Sequence, residues 1–422
     1  MAPLVALVSG SYRPDRCGVA DYTRRLAQSL EAEGLRVIIV TSAQSLADTA
    51  PSASPPALAL APNWRLSSLP GLIRSMLKLK PDVIHIQHSA SSFGHSHAFG
   101  LFPLLMKTMN SAVPLVTTAH EYGGWGIKPR FVPSRAIDWI ASWLEGRGLA
   151  DREDLFLLSL SRAIIVTNQY HFDTISKSVP GVGHKLRLIP IGPNVIGSGD
   201  DREEARQRVL SRLGLPLSTM LICYFGFIHP VKGLDHLLRA FAELRNRDGR
   251  AHLVIVGGVQ NLSLTEQEAT SFHDRLLALR DELGLTQSVT FTGYIEAEEV
   301  SRVLRASHMC VLPFNHGASL KSGSLLAALA HGLPVITTRT AATPSDLIDG
   351  DNVLLVPPRD PAALASALGR LASSPKLRES LGKGALALGQ RFSWKDIAGE
   401  HARLYNTLVE KRSPAPEHRQ AG

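Results

Sequence analysis

Between Pro313 and Thr338 the chain reads PFNHGASLKSGSLLAALAHGLPVITT, with Lys321, Ser322, Gly323 and Ser324 in succession and no carboxylate anywhere in the stretch. A polar loop opening an apolar helix presents backbone N–H groups at the positive end of the helix dipole, and a lysine beside it adds a full charge. An anion suits such a loop, although a plain Ser-capped helix uses the same residues. A second stretch, YFGFIHPVKGLDHLLRAFAEL, ends a strand at Gly226 and reaches Lys232-Gly233 as a helix begins. A lysine at that edge is placed for a diphosphate, or simply for water. Lys232 and Lys321 together are suited to bracket one diphosphate. A third loop, SGSYRPDRCGVADYTRRLAQSL, brings Gly18 to a helix start after the first strand. That geometry fits a phosphate, a sugar hydroxyl or a mere tight turn.

Other chemistry-bearing patterns are weaker. Asp349 to Asp351 imitates a metal-binding Asp-x-Asp but has the composition of a turn. The histidines of HIQHSASSFGHSH fall on or beside a strand, so His85 and His88 need not converge with His95 and His97. No metal ligand set is expected. Trp139 and Trp143 are spaced for packing on one helix face rather than for a carbohydrate platform. Cys17, Cys223 and Cys310 lack any CxxC spacing, which argues against disulfides or zinc.

The elements that must hold these loops are short β-branched runs alternating with helices. LVALVSG, RVIIVTS, PDVIHIQH, PLVTTAH, AIIVTN and KLRLIPIG read as buried parallel strands, with helices such as Gly18 to Ala32 between them. The pattern restarts with MLICYFGF, HLVIVGG, SVTFTGYI, MCVLPF, LPVITT and NVLLVP. Two doubly wound α/β halves are expected, with the seam near Gly192 to Glu204. ADTAPSASPPALALAP reads as a surface loop within the first half. The final segment SWKDIAGEHARLYNTLVEKR reads as a helix with Trp394, Ile397, Leu404, Leu408 and Val409 near one face.

The 422 residues exceed one ordinary core, and 44% hydrophobic with 19% charged residues is an ordinary globular composition. A net charge of +8 favours anionic partners, but no dense basic run with interleaved aromatics points to nucleic acid. No apolar run approaches the roughly eighteen residues of a spanning helix, and the N-terminus lacks a basic leader. A cytoplasmic location is expected. Peripheral contact at the inner face of the cell membrane is a further expectation, since LPGLIRSMLKLKP carries an apolar face of Leu69, Leu72, Ile73, Met76 and Leu77. Ordinary packing on the sheet is the alternative for that helix.

In their order and spacing, the Gly18 loop, PDVIHIQH, TTAHE, VTN, IPIG, FGFIHPVKGLDHLLRAFA, LVIVGG, VTFTGYI, ASHMCVLPF, AALAHGLPVITT and RDPAALASAL resemble the family 4 retaining glycosyltransferases (glycosyl transferases group 1) over nearly the whole chain. The resemblance implies the GT-B fold: two Rossmann-like doubly wound domains facing a cleft, with a C-terminal helix crossing back to the N-domain. It implies an acceptor-binding domain over 1–194, a nucleotide-sugar-binding domain over 195–390, the returning helix over 391–412 and a disordered tail over 413–422. The activity implied is sugar transfer from a UDP- or GDP-linked donor to a glycan, lipid-linked or other acceptor. Configuration would be retained and no cofactor required, in a polysaccharide or glycolipid pathway.

By the same resemblance, Lys232 matches the donor-diphosphate lysine, and Gly18 the N-domain loop glycine near donor and acceptor. His120 matches the histidine beside the transferred sugar. Gly293, Tyr294 and Ile295 fall near the base, and Gly323 and Ser324 near the phosphates. The chain departs from the family pattern at four places. Phe227, after Gly226, stands where an arginine is usual. Ser319 and Ala327 occupy the places of paired glutamates that contact donor sugar and ribose. Lys321 replaces a frequent aromatic and restores positive charge. Two alternatives follow from these departures and from the fold: a catalytically impaired nucleotide-sugar-binding or scaffold protein, and a GT-B epimerase or phosphorylase.

Overall fold

The protein is described by a computed structural model covering residues 2–12, 17–45, 55–123, 139, 142–151, 153–197, 199–259 and 264–411. The expected tail, 413–422, lies outside the described residues, as do residues 47–54 of the Pro/Ala/Ser stretch. The strands are β1 (Leu4–Ser9), β2 (Arg36–Ser42), β3 (Ala57–Ala61), β4 (Val83–His88), β5 (Leu115–Ala119), β6 (Ala163–Val166) and β7 (Leu186–Leu188), then β8 (Met220–Phe225), β9 (Ala251–Val256), β10 (Val289–Gly293), β11 (Met309–Leu312), β12 (Val335–Thr338) and β13 (Leu354–Val356). The principal helices are α1 (Gly18–Ala32), α2 (Leu69–Lys78), α3 (Phe102–Thr108), α4 (Gln169–Ser178), α5 (Arg202–Arg212), α6 (Leu234–Arg247), α7 (Glu266–Glu282), α8 (Ala297–Ala306), α9 (Gly323–Ala330), α10 (Pro361–Ser373), α11 (Pro375–Gln390) and α12 (Trp394–Glu410). They form two compact units, 1–191 together with 394–422, and 192–393.

The first unit holds a seven-stranded sheet in the order β3-β2-β1-β4-β5-β6-β7, parallel throughout. Strand residues alternate between its faces. Val5 and Leu7 pack with Leu26 and Leu30 of α1 and with Ile397, Ala398 and Tyr405 of α12. Ala6 and Val8 pack on the opposite side with Leu72, Ile73 and Met76 of α2 and Phe102 of α3. The strands are therefore covered on both faces, which is why they read as unbroken apolar runs. The last helix thus closes the core of the first unit, as the sequence led one to expect.

Three details differ from the sequence reading or decide between its alternatives. Residues 57–61 form β3, an edge strand paired with β2, instead of continuing the surface loop. Their alternating Ala and Leu suffice at an edge where one neighbour supplies the hydrogen bonds. The apolar face of α2 is spent in the core: Leu69, Leu72, Ile73 and Met76 are fully buried. Trp139 and Trp143, expected to pack, are 70% and 43% exposed, and Arg147 lies 4.1 Å over the Trp143 ring.

The second unit holds a six-stranded parallel sheet, β10-β9-β8-β11-β12-β13. Leu234, Leu237, Leu238, Phe241 and Leu244 give α6 one buried stripe. By contrast, five consecutive residues of α9, Leu325 to Leu329, are all buried. A short helix that is apolar all round belongs inside, so α9 is held as a rigid peg. Asp349 to Asp351 forms a turn with Gly350 at φ +80°, and Asp349 Oδ1 accepts from the Leu355 N–H at 2.8 Å.

Candidate functional site

In each sheet the strand order reverses between two neighbours, β1 and β4 in one and β8 and β11 in the other. Loops leaving the C-terminal ends of such a pair diverge to opposite faces and leave a crevice, where ligands of open α/β sheets bind. Gly18 follows β1, and Gly226, Phe227, Lys232, Ser319, Lys321 and Ser322 follow β8 or β11, whereas His120 follows β5 and Tyr294 and Ile295 follow β10.

In the second unit β8 is followed by Gly226, whose φ of +149° an L side chain rarely adopts. A Cβ there would lie 3.0 Å from Ser324 Oγ and 3.2 Å from the Tyr224 hydroxyl. Gly226 and Ser324, about a hundred positions apart in sequence, are therefore neighbours. The Tyr224 hydroxyl donates to the Phe227 carbonyl at 3.0 Å, fixing the loop just after the strand. A short turn over Pro230–Lys232 follows, capped by His229 Nδ1, which accepts from the Val231 N–H at 3.2 Å. Gly233 then turns the chain into α6 at φ +71°, where a Cβ would sit 2.1 Å from the Pro313 carbonyl oxygen.

This tight crossing holds Lys232 against the loop after β11. Its Nζ lies 4.7 Å from the centre of the Phe314 ring, a cation–π distance. Asn315 pins the two loops together, its N–H donating to the Val231 carbonyl and its amide to the Pro230 carbonyl, both at 2.9 Å. Burial lowers the Lys232 pKa, and among the described residues no carboxylate lies within 4 Å of the ammonium. The His229 pKa is lowered by burial and by the Lys232 charge. The result is a partly desolvated cation at a strand end, the arrangement that gains most from an arriving anion.

The loop after β11 leads to α9. Ser322 is its N-cap, with Oγ accepting from the Leu325 N–H at 3.3 Å. The N–H groups of Gly323 and Ser324 have no acceptor within the helix. A Cβ on Gly323 would meet Asn194 at 3.1 Å, so this helix start is also narrow. Lys321 is exposed, and its N–H donates to Ser319 Oγ at 3.3 Å. Ala327 is fully buried inside α9.

Gly226 and Gly257 directly follow the adjacent strands β8 and β9, and Gly293 ends β10. The Gly257 N–H donates to the Gly293 carbonyl at 3.1 Å, and a Cβ on Gly257 would overlap the Gly226 carbonyl oxygen. Three strand ends thus present bare backbone side by side. Tyr294 beyond them is 43% exposed. Ile295 lines a cavity of about 410 Å³ with Arg212, Thr290, Thr292 and Glu299.

In the first unit Gly18 opens α1, and a Cβ there would meet nothing within 4 Å. Tyr22, one turn on, places its ring edge-on to His120 with centroids 4.8 Å apart. His120 follows β5; its N–H donates to the His88 carbonyl at 2.9 Å, and its Nε2 donates to Gln87 Oε1 at 3.0 Å. Gln87 is fully buried. His85 and His88 are occupied separately: His85 by Tyr405 and Thr118 at 2.6 and 2.7 Å, His88 by Asp154 at 3.4 Å. Asp151 nearby is pushed up to about 7 by burial.

The structure therefore brings Gly226, Phe227, Lys232 and Ser324 to one crevice, with Ser322 and Gly323 at the same helix start, and sets Gly293 in the adjoining row. It brings Gly18 and His120 together through Tyr22. Phe314, Asn315, Asn194, Gln87 and Tyr22 were not singled out from sequence. They carry ordinary residue types, and only the crossing of loops gives them a role.

The profile of the glycosyl transferases group 1 matches residues 219–374, and that of glycosyltransferase family 4 matches residues 17–195. The D-inositol 3-phosphate glycosyltransferase of Corynebacterium jeikeium is 34% identical over 226 residues, 53% of this chain and 52% of that protein. Its namesake from Corynebacterium efficiens is 32% identical over 319 residues, covering 74% and 70%. The chain spans about half the length of the relatives from C. jeikeium, Acidothermus cellulolyticus and Streptomyces griseus. Among solved structures, sucrose-phosphate synthase of Thermosynechococcus elongatus superposes with a TM-score of 0.69 at 23% identity, covering 97% of this chain and all (100%) of that one. Anabaena HepE in complex with UDP-glucose gives 0.67 at 14% identity, covering 96% and 100%. Both likenesses are of fold, the GT-B architecture of paired Rossmann-like units. The chain belongs to the group 1, family 4 glycosyltransferases.

Proposed function

We propose that the protein transfers a sugar from a UDP- or GDP-linked donor to a glycan, lipid-linked or other hydroxyl acceptor, with retention of configuration. The observation that carries this reading is the Lys232 crevice. A partly desolvated ammonium over Phe314 and a strand-end glycine beside the N-terminus of an eight-residue buried helix lie on the loops after β8 and β11, with no carboxylate partner for the lysine among the described residues. Such donors stabilise charge where it develops in the reaction, on the diphosphate oxygen as its bond to the anomeric carbon breaks. The bare strand ends at Gly226, Gly257 and Gly293 leave room for the nucleoside to approach backbone. His120 is assigned to the transferred sugar, Gly18 and the first unit to the acceptor, and Lys321 to the outer phosphate. The names of the relatives make a polyol phosphate one acceptor to try first.

Calorimetric titration with UDP, GDP, ADP and their sugars tests the donor, followed by product analysis with candidate acceptors. Micromolar binding of one nucleotide-sugar and a new glycoside are the expected results. Tight binding without turnover would favour a sensor or scaffold, in keeping with Phe227, Ser319 and Ala327 standing in place of an arginine and two acids. An isomerised or phosphorolysed sugar would replace transfer with other chemistry.

A further inference from the structure

Behind His120 runs a buried polar chain that the donor site does not require. Gln87 Oε1 lies 3.0 Å from His120 Nε2, and an amide oxygen can only accept, so Nε2 carries the proton. The amide NH₂ of the same Gln87 faces the His85 ring, 3.2 and 3.3 Å from its two nitrogens. His85 Nδ1 lies 2.6 Å from the Tyr405 hydroxyl and Nε2 lies 2.7 Å from Thr118 Oγ1. Tyr405 belongs to α12, as does His401, whose ring centroid is 5.7 Å from that of His85. Gln87, His85, Thr118, Tyr405 and His401 are all fully buried.

A core that needed only packing would be better served by apolar residues at these places, since every buried polar atom must find a partner. The polar chain runs from α12 to the half-buried His120. Tyr22, again from the first unit, confines that imidazole from the side.

We propose that Gln87 is a positioning residue for His120, held in register by His85 and by Tyr405 from the returning helix, so that the His120 imidazole keeps the Nε2–H tautomer and one ring orientation toward the sugar. The inference rests on the assignment of His120 to the donor sugar, but its geometry does not. In the neutral ring, Nε2–H donating to Gln87 makes Nδ1 an acceptor.

The test pairs a spectroscopic readout with kinetics on the full chain. In ¹⁵N-histidine-labelled protein, the His120 signals are assigned by their loss in His120→Asn. They are expected to show the Nε2–H tautomer in the native chain and in Gln87→Glu, which keeps an acceptor oxygen. Gln87→Leu is expected to give mixed tautomers, and Tyr405→Phe a smaller shift in the same signals. In turnover, Gln87→Leu should lower kcat by about tenfold or more, the scale of a mispositioned group, with donor KM nearly unchanged. Gln87→Glu should recover most of that loss.

An Nδ1–H tautomer in the native chain overturns the proposal, and so does a His120 signal indifferent to Gln87→Leu. If the native chain transfers no sugar while the tautomer still follows Gln87, the functional reading fails and the positioning network stands.

Discussion

Lys232 is held by geometry rather than by a partner. The crossing of Gly233 under Pro313 leaves its ammonium over Phe314, partly stripped of water and without a neighbouring carboxylate among the described residues. A charged hydrogen bond to phosphate contributes about 1.5–3 kcal/mol. Lys232→Ala is therefore expected to weaken binding of the cognate nucleoside diphosphate by roughly ten- to a hundredfold, with the unfolding temperature unchanged. Equal affinity in a folded variant would remove Lys232 from the diphosphate site. Ala327 stands differently. The resemblance implies an acid at this place, yet Ala327 is sealed inside α9. In this packing Ala327→Glu would bury a charge without a partner, a change that costs about 3–5 kcal/mol when one member of a buried pair is missing. A marked fall in unfolding temperature is expected. An unchanged temperature with tighter nucleotide binding would mean that α9 opens to the ligand at this face.

At the scale of elements, the turn from β8 into α6 is the narrowest constraint. Gly233→Ala combines a positive φ with a Cβ at 2.1 Å from a carbonyl oxygen. A loss of more than about 2 kcal/mol is expected in denaturant unfolding, because neither the backbone nor Pro313 can yield cheaply. Most elements were legible because their sequences carry a period: β1 and β9 are buried on both faces and read as apolar runs, and α6 has a clean stripe. Strand β3 was hidden because Ala-Leu-Ala-Leu-Ala lacks the β-branched residues that mark strands, and an edge needs fewer of them. Trp139 and Trp143 show the complementary limit. Spacing says that two residues share a face, but not what, if anything, covers it. Of the site, the glycine and lysine loops could be read from their chemistry. Gln87 and Tyr405 could not, because the His85–Tyr405 contact joins positions 320 apart in sequence.

Across the whole molecule, buried neutral histidines dominate the response to acid. Burial holds His88 near 3 and His401, His252 and His308 near 4, and keeps His85 well below its ordinary value. The unfolded chain binds protons near pH 6.5 that these residues refuse in the fold. Their stabilisation is complete above about pH 6.5 and is lost as the pH falls toward 4. Asp151, raised to about 7, acts in the opposite sense, favouring the fold at low pH and losing that contribution as the pH rises through 7. With His229 and His331 also lowered, these histidines outweigh Asp151 among the described residues and predict a net fall in unfolding temperature between pH 6.5 and 4.5, measurable by scanning calorimetry. A flat or rising profile would mean that these histidines accept protons without leaving the core. The return of α12 also sets an order of assembly during synthesis. Residues 192–393 leave the ribosome before Trp394, so the second unit can finish folding while the first still lacks Ile397, Ala398 and Tyr405, which complete the cluster that α1 forms with Val5 and Leu7. The first unit to be made is thus the last to be completed, its core left open beside α1 until Trp394 to Tyr405 arrive.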